Sequence, residues 1–371
     1  MFSYTLKKYT TSLFLVSLVL FLISALCLLL FVLSPTVADV INDTVAQAVR
    51  LALAKITSLL PFSLAELLIC LSPVLVTLLI ILYVRRVHTR SGARRFFLNI
   101  LAVILLVASL YVFTIGAGYH TTRLDDKMGL VREKIEKEEL LAVAEHLHEA
   151  LLSDLDEITF AENGASQMPY TIQELSQRAS EAYDAFATEH PSLLSYNYHS
   201  RIKGVYFSRA MSYAHILGIY TFFTGEANVN VDYPDAEIPT TALHEMAHQR
   251  GISREDEASF VAFIIGRGSD DAYTRYSANF DLFRYVLNAL WRADHELYRE
   301  FFSRMDSRIV GDIRAISNHA KQFENNPVGN ISSSLNDAYL KANGTEGAVS
   351  YGFIVDLAVA FYKENYPSLF S

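Results

Sequence analysis

The sequence predicts a mainly α-helical chain with a small β-sheet: three N-terminal transmembrane helices, then an α-rich domain in water. Three observations carry this. Leu13 to Leu33, Leu67 to Val84 and Phe96 to Tyr119 are uncharged apolar runs close to the roughly 20 residues a membrane-crossing helix needs. Residues 1–118 hold 9 Lys+Arg against 3 Asp+Glu and residues 119–371 hold 22 against 37, so the net −9 averages a +6 half and a −15 half. Beyond residue 124, apolar side chains recur at three- and four-residue spacing, the period of a helix. The acidic balance excludes nucleic acid as a partner, since phosphate binding needs a basic face.

The anchor is expected over residues 1–118, with spans at about 12–34, 64–84 and 96–118, and the second domain over 119–371. Lys7 and Lys8 ahead of a long first run read as an uncleaved signal-anchor, because a cleaved signal has an apolar core of only about 7–15 residues. Arg85, Arg86, Arg90, Arg94 and Arg95 crowd the link between spans two and three, whereas the 34–63 loop has only Arg50 and Lys55. By the positive-inside rule the N-terminus and that link are cytoplasmic, and residues 120–371 face the extracytoplasmic side. Segment 44–60 is amphipathic and fits either a helix lying on the bilayer or an ordinary packed one. Cys27 and Cys70 both fall inside spans, so the second domain is expected to have neither disulfide nor thiolate metal site.

In the second domain, helices are expected over 124–158, 172–188, 276–303, 306–324, 332–342 and 350–365. The extended region is about 203–233, where KGVYF, GIYTFF and ANVNVDY are rich in β-branched and aromatic residues. Pro234 and Pro239 close it. Thr240 or Thr241 can cap a helix that runs to Gln249 and stops at Gly251. Ser253 with Asp256 then suggests a capping pair for a second helix reaching Ile265.

The first of those two helices carries His244-Glu245-Met246-Ala247-His248. The i, i+4 spacing stacks both imidazoles on one face, within reach of one tetrahedral zinc ion. Glu245 lies about 100° round the helix, placed to take a proton from water beside the metal rather than to bind it. Such a site needs a third protein ligand, and Glu255 and Glu257 on the second helix are the two candidates. Ala258, Ala262 and Gly266 form a small-residue face that lets this helix approach the first. With that face, the segment resembles the glutamate-type zincins, which points to Glu255 as ligand and Glu257 as the alternate. In that arrangement Glu257 would orient His244 or His248 from outside the ligand set.

Over nearly its whole length the chain resembles the domain of unknown function 3810 family of bacterial membrane proteins. The resemblance rests on the three spans, GIYTFFTGEANVN, HEMAHQRGISREDEASF and NDAYLKANGTEGAVSYGFIVDL. Its members look like zinc metallopeptidases, which implies a zincin-like catalytic domain. Ser259 departs from the relatives, which tend to have Asn there. The resemblance suggests that residues 225–228 form the edge strand that pairs with an extended substrate, with Glu226 and Asn228 as substrate-binding residues. It also makes Tyr351 a candidate for stabilising the oxyanion and Asp356 for orienting a ligand histidine.

The expectation is therefore a multi-pass bacterial membrane protein with an extracytoplasmic zinc metalloendopeptidase domain. His244, His248 and Glu255 would hold Zn2+, Glu245 would be the general base, and a peptide or protein would be the substrate. The alternative is a non-catalytic membrane sensor or assembly protein with a structural zinc site.

Overall fold

The computed structural model describes residues 11–371 except 88, 192, 195 and 196, so Lys7, Lys8 and His88 lie outside the described residues. The chain divides into two compact units. The first takes the residues up to Thr121 together with Thr221–Glu226, and the second takes Thr122–Tyr220 and Ala227–Ser371.

In the first unit, helix α1 (Ser12–Leu33) starts at Thr11, whose hydroxyl accepts the Phe14 N–H at 3.2 Å. Its Ser17 and Ser24 hydroxyls fold back onto the Leu13 and Leu20 carbonyls at 2.8 Å, which keeps them paired in an apolar surrounding. A short α2 (Pro35–Ile41), a π-helical turn (Asn42–Ala46) and α3 (Gln47–Ser58) follow. Then come α4 (Leu64–Arg86) and α5 (Arg90–Tyr111), which continues through a π turn (Val112–Gly116) and a 3-10 turn (Ala117–His120). Three stretches, Ser12–Leu33, Leu64–Arg85 and Arg90–His120, are long and apolar enough to cross a membrane. The third helix begins six residues before its apolar run because Thr89 caps it, accepting the Gly92 N–H at 3.1 Å.

Segment 44–60 contains α3, which buries one face and exposes Ile56 on another. Arg50 is 1% exposed, and its guanidinium donates to the Asn42 side-chain and backbone oxygens at 3.0 and 2.8 Å.

The second unit is mainly helical. It opens with α6 (Leu124–Met128) and α7 (Lys137–Asp154), two helices within the run that the periodicity marked as one or two. Glu136 and Glu139 restart the chain there through a reciprocal capping box. A two-residue hairpin, β1 (Thr159–Phe160) and β2 (Ser166–Gln167), leads to α8 (Ile172–Glu189).

The region expected to be extended is only partly so. β3 (Lys203–Gly204) is followed by a helical turn, α9 (Ser208–Tyr213), before β4 (Gly218–Thr221) and β5 (Glu226–Val229). The sheet order is β3–β5–β4, with β3 and β5 parallel. Residues 226–229 are thus the central strand and β4 is an edge, the reverse of the expectation.

The motif helices are α10 (Ile238–Gln249) and α11 (Glu255–Arg267). They pack with α12 (Ala272–Ala293) around Leu243, Met246, Phe260, Phe263, Phe280 and Phe283, all at most 1% exposed. Burying each such side chain stabilises the unit by about 1.5–3 kcal/mol. Gly266 allows the close approach, but chiefly towards α12: a Cβ there would lie 2.5 Å from the Ala278 Cβ and 3.0 Å from Leu243 Cδ1. Helices α13 (His295–Ser303), α14 (Ser307–Gln322), α15 (Pro327–Ala342) and α16 (Ile354–Asn365) complete the unit.

Candidate metal centre

Helix α10 is held at both ends by residues distant in sequence. Its N-terminus is not capped by Thr240 or Thr241. Ser277 of α12 instead accepts the Thr240 N–H at 3.1 Å and donates to the Ala236 carbonyl at 2.6 Å. Pro239 sits in the first turn, where its missing N–H costs nothing. At the other end Arg250 donates to the Met246 and Tyr198 carbonyls and stacks 4.1 Å from the Tyr183 ring centre.

Gly251 follows with φ +97°, a conformation that favours glycine. That turn brings the Ile252 carbonyl back to 2.7 Å from His248 Nδ1. Nδ1–H donates there, so the other ring nitrogen, Nε2, is left to face the site. His244 is fixed in a similar way, its Nδ1 lying 3.1 Å from the Ser259 hydroxyl on α11.

Both Nε2 atoms turn towards one carboxylate oxygen. Glu255 Oε2 lies 3.1 Å from His244 Nε2 and 3.4 Å from His248 Nε2. The donor atoms of the three side chains all fall within 4.8 Å of one another. Two donors each about 2.05 Å from a tetrahedral zinc would be about 3.3 Å apart, so the spacing suits that ion. Charge gives a second test of fit. Burial alone would raise the Glu255 carboxyl, but His248 and His244 hold it well below the usual carboxylate range. Burial pulls His248 down, yet the Glu255 carboxylate more than offsets this and pushes the imidazole up to about 9. For His244 burial prevails and the imidazole is lowered. An ionised carboxylate facing two imidazole nitrogens requires a cation between them, either protons or a metal ion. The residues fit zinc.

Glu257 is not part of this set. Its carboxylate pairs with Arg254 at 3.1 Å and accepts the Leu124 N–H at 3.1 Å, one helical face away from the histidines. Arg254, not Ser253, occupies the cap position of α11, without a side-chain cap bond, and the Asp256 carboxylate is taken by Arg132 at 3.2 Å.

Glu245 is 5% exposed and accepts the backbone N–H of Tyr220 on β4. Burial pushes its carboxyl up to about 8, His248 opposing and Glu255 assisting. The strand can come this close only because residue 218 is glycine: a Cβ there would lie 2.5 Å from Glu245 Oε1. The sequence reading missed Gly218 and Tyr220, although a glycine heading the run GIYTFF is a signal of close backbone approach.

Tyr351 belongs to the same neighbourhood. Burial raises its phenol, the fields of Glu255 and Glu245 add to this, and Asn336 donates to its oxygen at 3.4 Å. Tyr285, which the sequence did not single out, is likewise raised by burial first, with Glu255 contributing.

The other expected residues lie elsewhere. Glu226 is a helix cap within the first unit, its two oxygens accepting the Leu64 and Ala65 N–H groups at 2.9 Å. Asn228 donates to the Ile219 carbonyl at 3.1 Å and serves the sheet. In place of the expected substrate contacts, the structure shows Glu226 capping a helix and Asn228 bonded within the sheet. Asp356, raised by burial, feels Arg132 and Asp256, and the histidine nitrogens it was expected to orient are held by Ser259 and Ile252.

No functionally curated protein and no solved structure shows a significant match to the chain. A family match covers residues 42–359, and the chain belongs to the family described as protein of unknown function (DUF3810).

Proposed function

We propose that this chain is a membrane-anchored zinc metallopeptidase of the glutamate-type zincin class, with the hydrolytic site in its second unit. One observation carries the reading. His244, His248 and Glu255 converge through nitrogens and an oxygen that face one another among the described residues, beside a buried carboxyl outside that set. Zinc, when bound, supplies Lewis acidity, polarising a scissile carbonyl and making water a stronger acid.

The chain's own residues do the rest. Glu245, clamped by the Tyr220 N–H, takes the proton of the attacking water on its carboxylate and delivers it to the leaving amine. Burial raises its proton affinity above that of an ordinary carboxylate, which helps it hold the proton between the two transfers. The Tyr351 phenol, kept protonated, donates a hydrogen bond to the oxyanion as charge develops there. Edge strand β4 pairs with the extended backbone of a peptide or protein substrate and lays it over α10.

We further propose a bacterial membrane protein with its N-terminus and the Arg-rich link in the cytoplasm and the second unit outside. The five arginines between the second and third apolar helices support this orientation. So does the burial of Arg50, which leaves Lys55 as the water-facing cation of the 34–63 loop.

The test is Glu245→Gln in the full chain. Zinc content is expected to stay near one per chain while turnover falls by about 10²–10⁴. Identifying proteins that accumulate uncleaved in cells carrying this variant would reveal the substrate. Unchanged cleavage would overturn the catalytic reading and leave a structural zinc.

A further inference from the structure

The hydrogen bond from the Tyr220 N–H to Glu245 ties the proposed base to β4, and β4 is fastened again at its far end. It stops at Thr221, and β5 starts at Glu226. The turn between them closes on itself, the Thr224 and Gly225 N–H groups donating to the Thr221 carbonyl at 3.1 and 2.7 Å. Residues Thr221–Glu226 belong to the first unit, whereas Tyr220 and Ala227 belong to the second.

Within the first unit this turn is bound to three helices. Glu226 accepts the Leu64 and Ala65 N–H groups, the first two of α4, at 2.9 Å. Phe222 meets the ring of Tyr111, on α5, edge-on at 5.4 Å. Gly225, with φ +70°, lies so close to α3 that a Cβ there would come within 2.6 Å of the Leu53 Cβ. Leu64 opens a stretch long and apolar enough to cross a membrane, and Glu66 sits in its first turn. A helix start that carries Glu66 and is capped by Glu226 belongs in the headgroup layer, outside the hydrocarbon.

The path from Glu226 back to Tyr220 is six residues, which even fully extended span only about 20 Å. Peptide bonds set this limit, so it holds for any disposition of the two units. A substrate backbone paired along β4 beside Glu245 is therefore cut no more than about 20 Å from the headgroup layer, about six residues of extended chain.

We propose that the substrates are membrane-anchored proteins or peptides, cut in the juxtamembrane segment within about six residues of their own apolar span. This rests on the peptidase reading and names its substrate class. The step itself is hydrolysis: the water oxygen bonds the carbonyl carbon, the C–N bond breaks, and the water proton passes to the leaving amine. Backbone pairing with an edge strand accepts many extended sequences, so selection comes from where β4 is held. A segment leaving a neighbouring span enters at the right height, whereas a soluble protein must bring an extended stretch down to the bilayer.

The full chain with zinc, reconstituted in phosphatidylcholine vesicles, reads the height of the site directly. The probes are peptides whose randomised segment stands six, twelve or twenty-four residues from a membrane-spanning Leu/Ala helix, beside the same segment free in solution. Mass spectrometry is expected to show products at the six-residue spacing, formed at least tenfold faster than from the free segment and absent with Glu245→Gln. Cleavage only at twelve residues or more, or free peptide cut as fast, would overturn the substrate class and leave the peptidase reading standing. No cleavage of any probe, or equal cleavage by Glu245→Gln, would overturn the peptidase reading and this inference with it. In cells, the termini lost in Glu245→Gln are expected just outside apolar spans, and termini scattered through soluble proteins would overturn the anchored class alone.

Discussion

The second unit contains two buried polar centres of opposite design, each built around a carboxylate. Around Asp312, which is 0% exposed, every donor meets its acceptor: Oδ1 takes the Ser166 N–H and Oδ2 the Tyr276 hydroxyl, both at 2.7 Å, and Ser166 bonds Tyr273 at 3.0 Å. That network closes on itself and needs nothing from outside. Around Glu255, three lone-pair-bearing atoms face one another and the balance is closed only by a cation. Burial and polarity are common to both, so neither marks a functional site. What distinguishes the metal centre is convergence of acceptors, enforced by giving each histidine's other nitrogen a partner of its own.

The largest effect that would break this contrast is at Glu255. Glu255→Gln is expected to weaken zinc binding more than about a hundredfold, beyond the 10–100-fold typical of groups that only orient ligands. Competition with a chromophoric chelator measures it. Full occupancy in this variant would contradict the ligand assignment. Glu257→Gln, in contrast, is expected to keep its zinc and to lose about 1–2 kcal/mol of stability through Arg254 and the Leu124 N–H.

Next in size is Gly218→Ala. The new methyl would meet Glu245 Oε1 at 2.5 Å and Thr241 Cγ2 at 2.7 Å, so the base must shift while the ligands stay. A displacement near 1 Å is expected to lower kcat by about a hundredfold at unchanged zinc content. Equal loss of zinc and turnover would mean that the strand supports the helix rather than the base.

Asp312→Asn examines the other centre. The amide keeps the Ser166 N–H bond but cannot accept from Tyr276, so thermal unfolding should report a loss of about 1–3 kcal/mol with zinc affinity unchanged. A change in zinc affinity would show that the two centres are coupled.

How far each feature was legible in the sequence follows from the range of the interactions that define it. His244, Glu245 and His248 sit within one helical turn, where spacing alone fixes their relative direction. The same logic gave the three apolar helices. The rotation of α11 was not fixed locally. Which of Glu255 and Glu257 meets the histidines depends on how Gly266 seats against Ala278 and on the pull of Arg254 and Leu124. Glu226 looked like a substrate contact because its partners, Leu64 and Ala65, are more than 160 residues away. The Thr240 cap failed for the same reason, with Ser277 arriving from another helix. Ser208–Tyr213 lies between two strand-like stretches, and its helical turn is closed by Ser208 and Ser212 hydroxyls bonding Val205 and Asp232.

The smallest prediction bears most directly on how convergence is built. Ser259 departs from its relatives at a position beside the ligands, and its hydroxyl is what meets His244 Nδ1, at 3.1 Å. Ile252 performs the same task for His248 with a backbone carbonyl, which no side-chain substitution can remove. The two histidines therefore differ in how firmly their Nε2 is aimed, and His244 depends on one replaceable group. Ser259→Ala frees the ring to change tautomer and is expected to weaken zinc by about tenfold, with unfolding almost unaffected. Ser259→Asn offers Nδ1 an amide oxygen in place of the hydroxyl and should restore most of that loss. An alanine variant that binds zinc as tightly as the wild-type chain would mean that burial among α10 and α11 aims His244 without help, and that convergence here is a matter of packing rather than of hydrogen bonding.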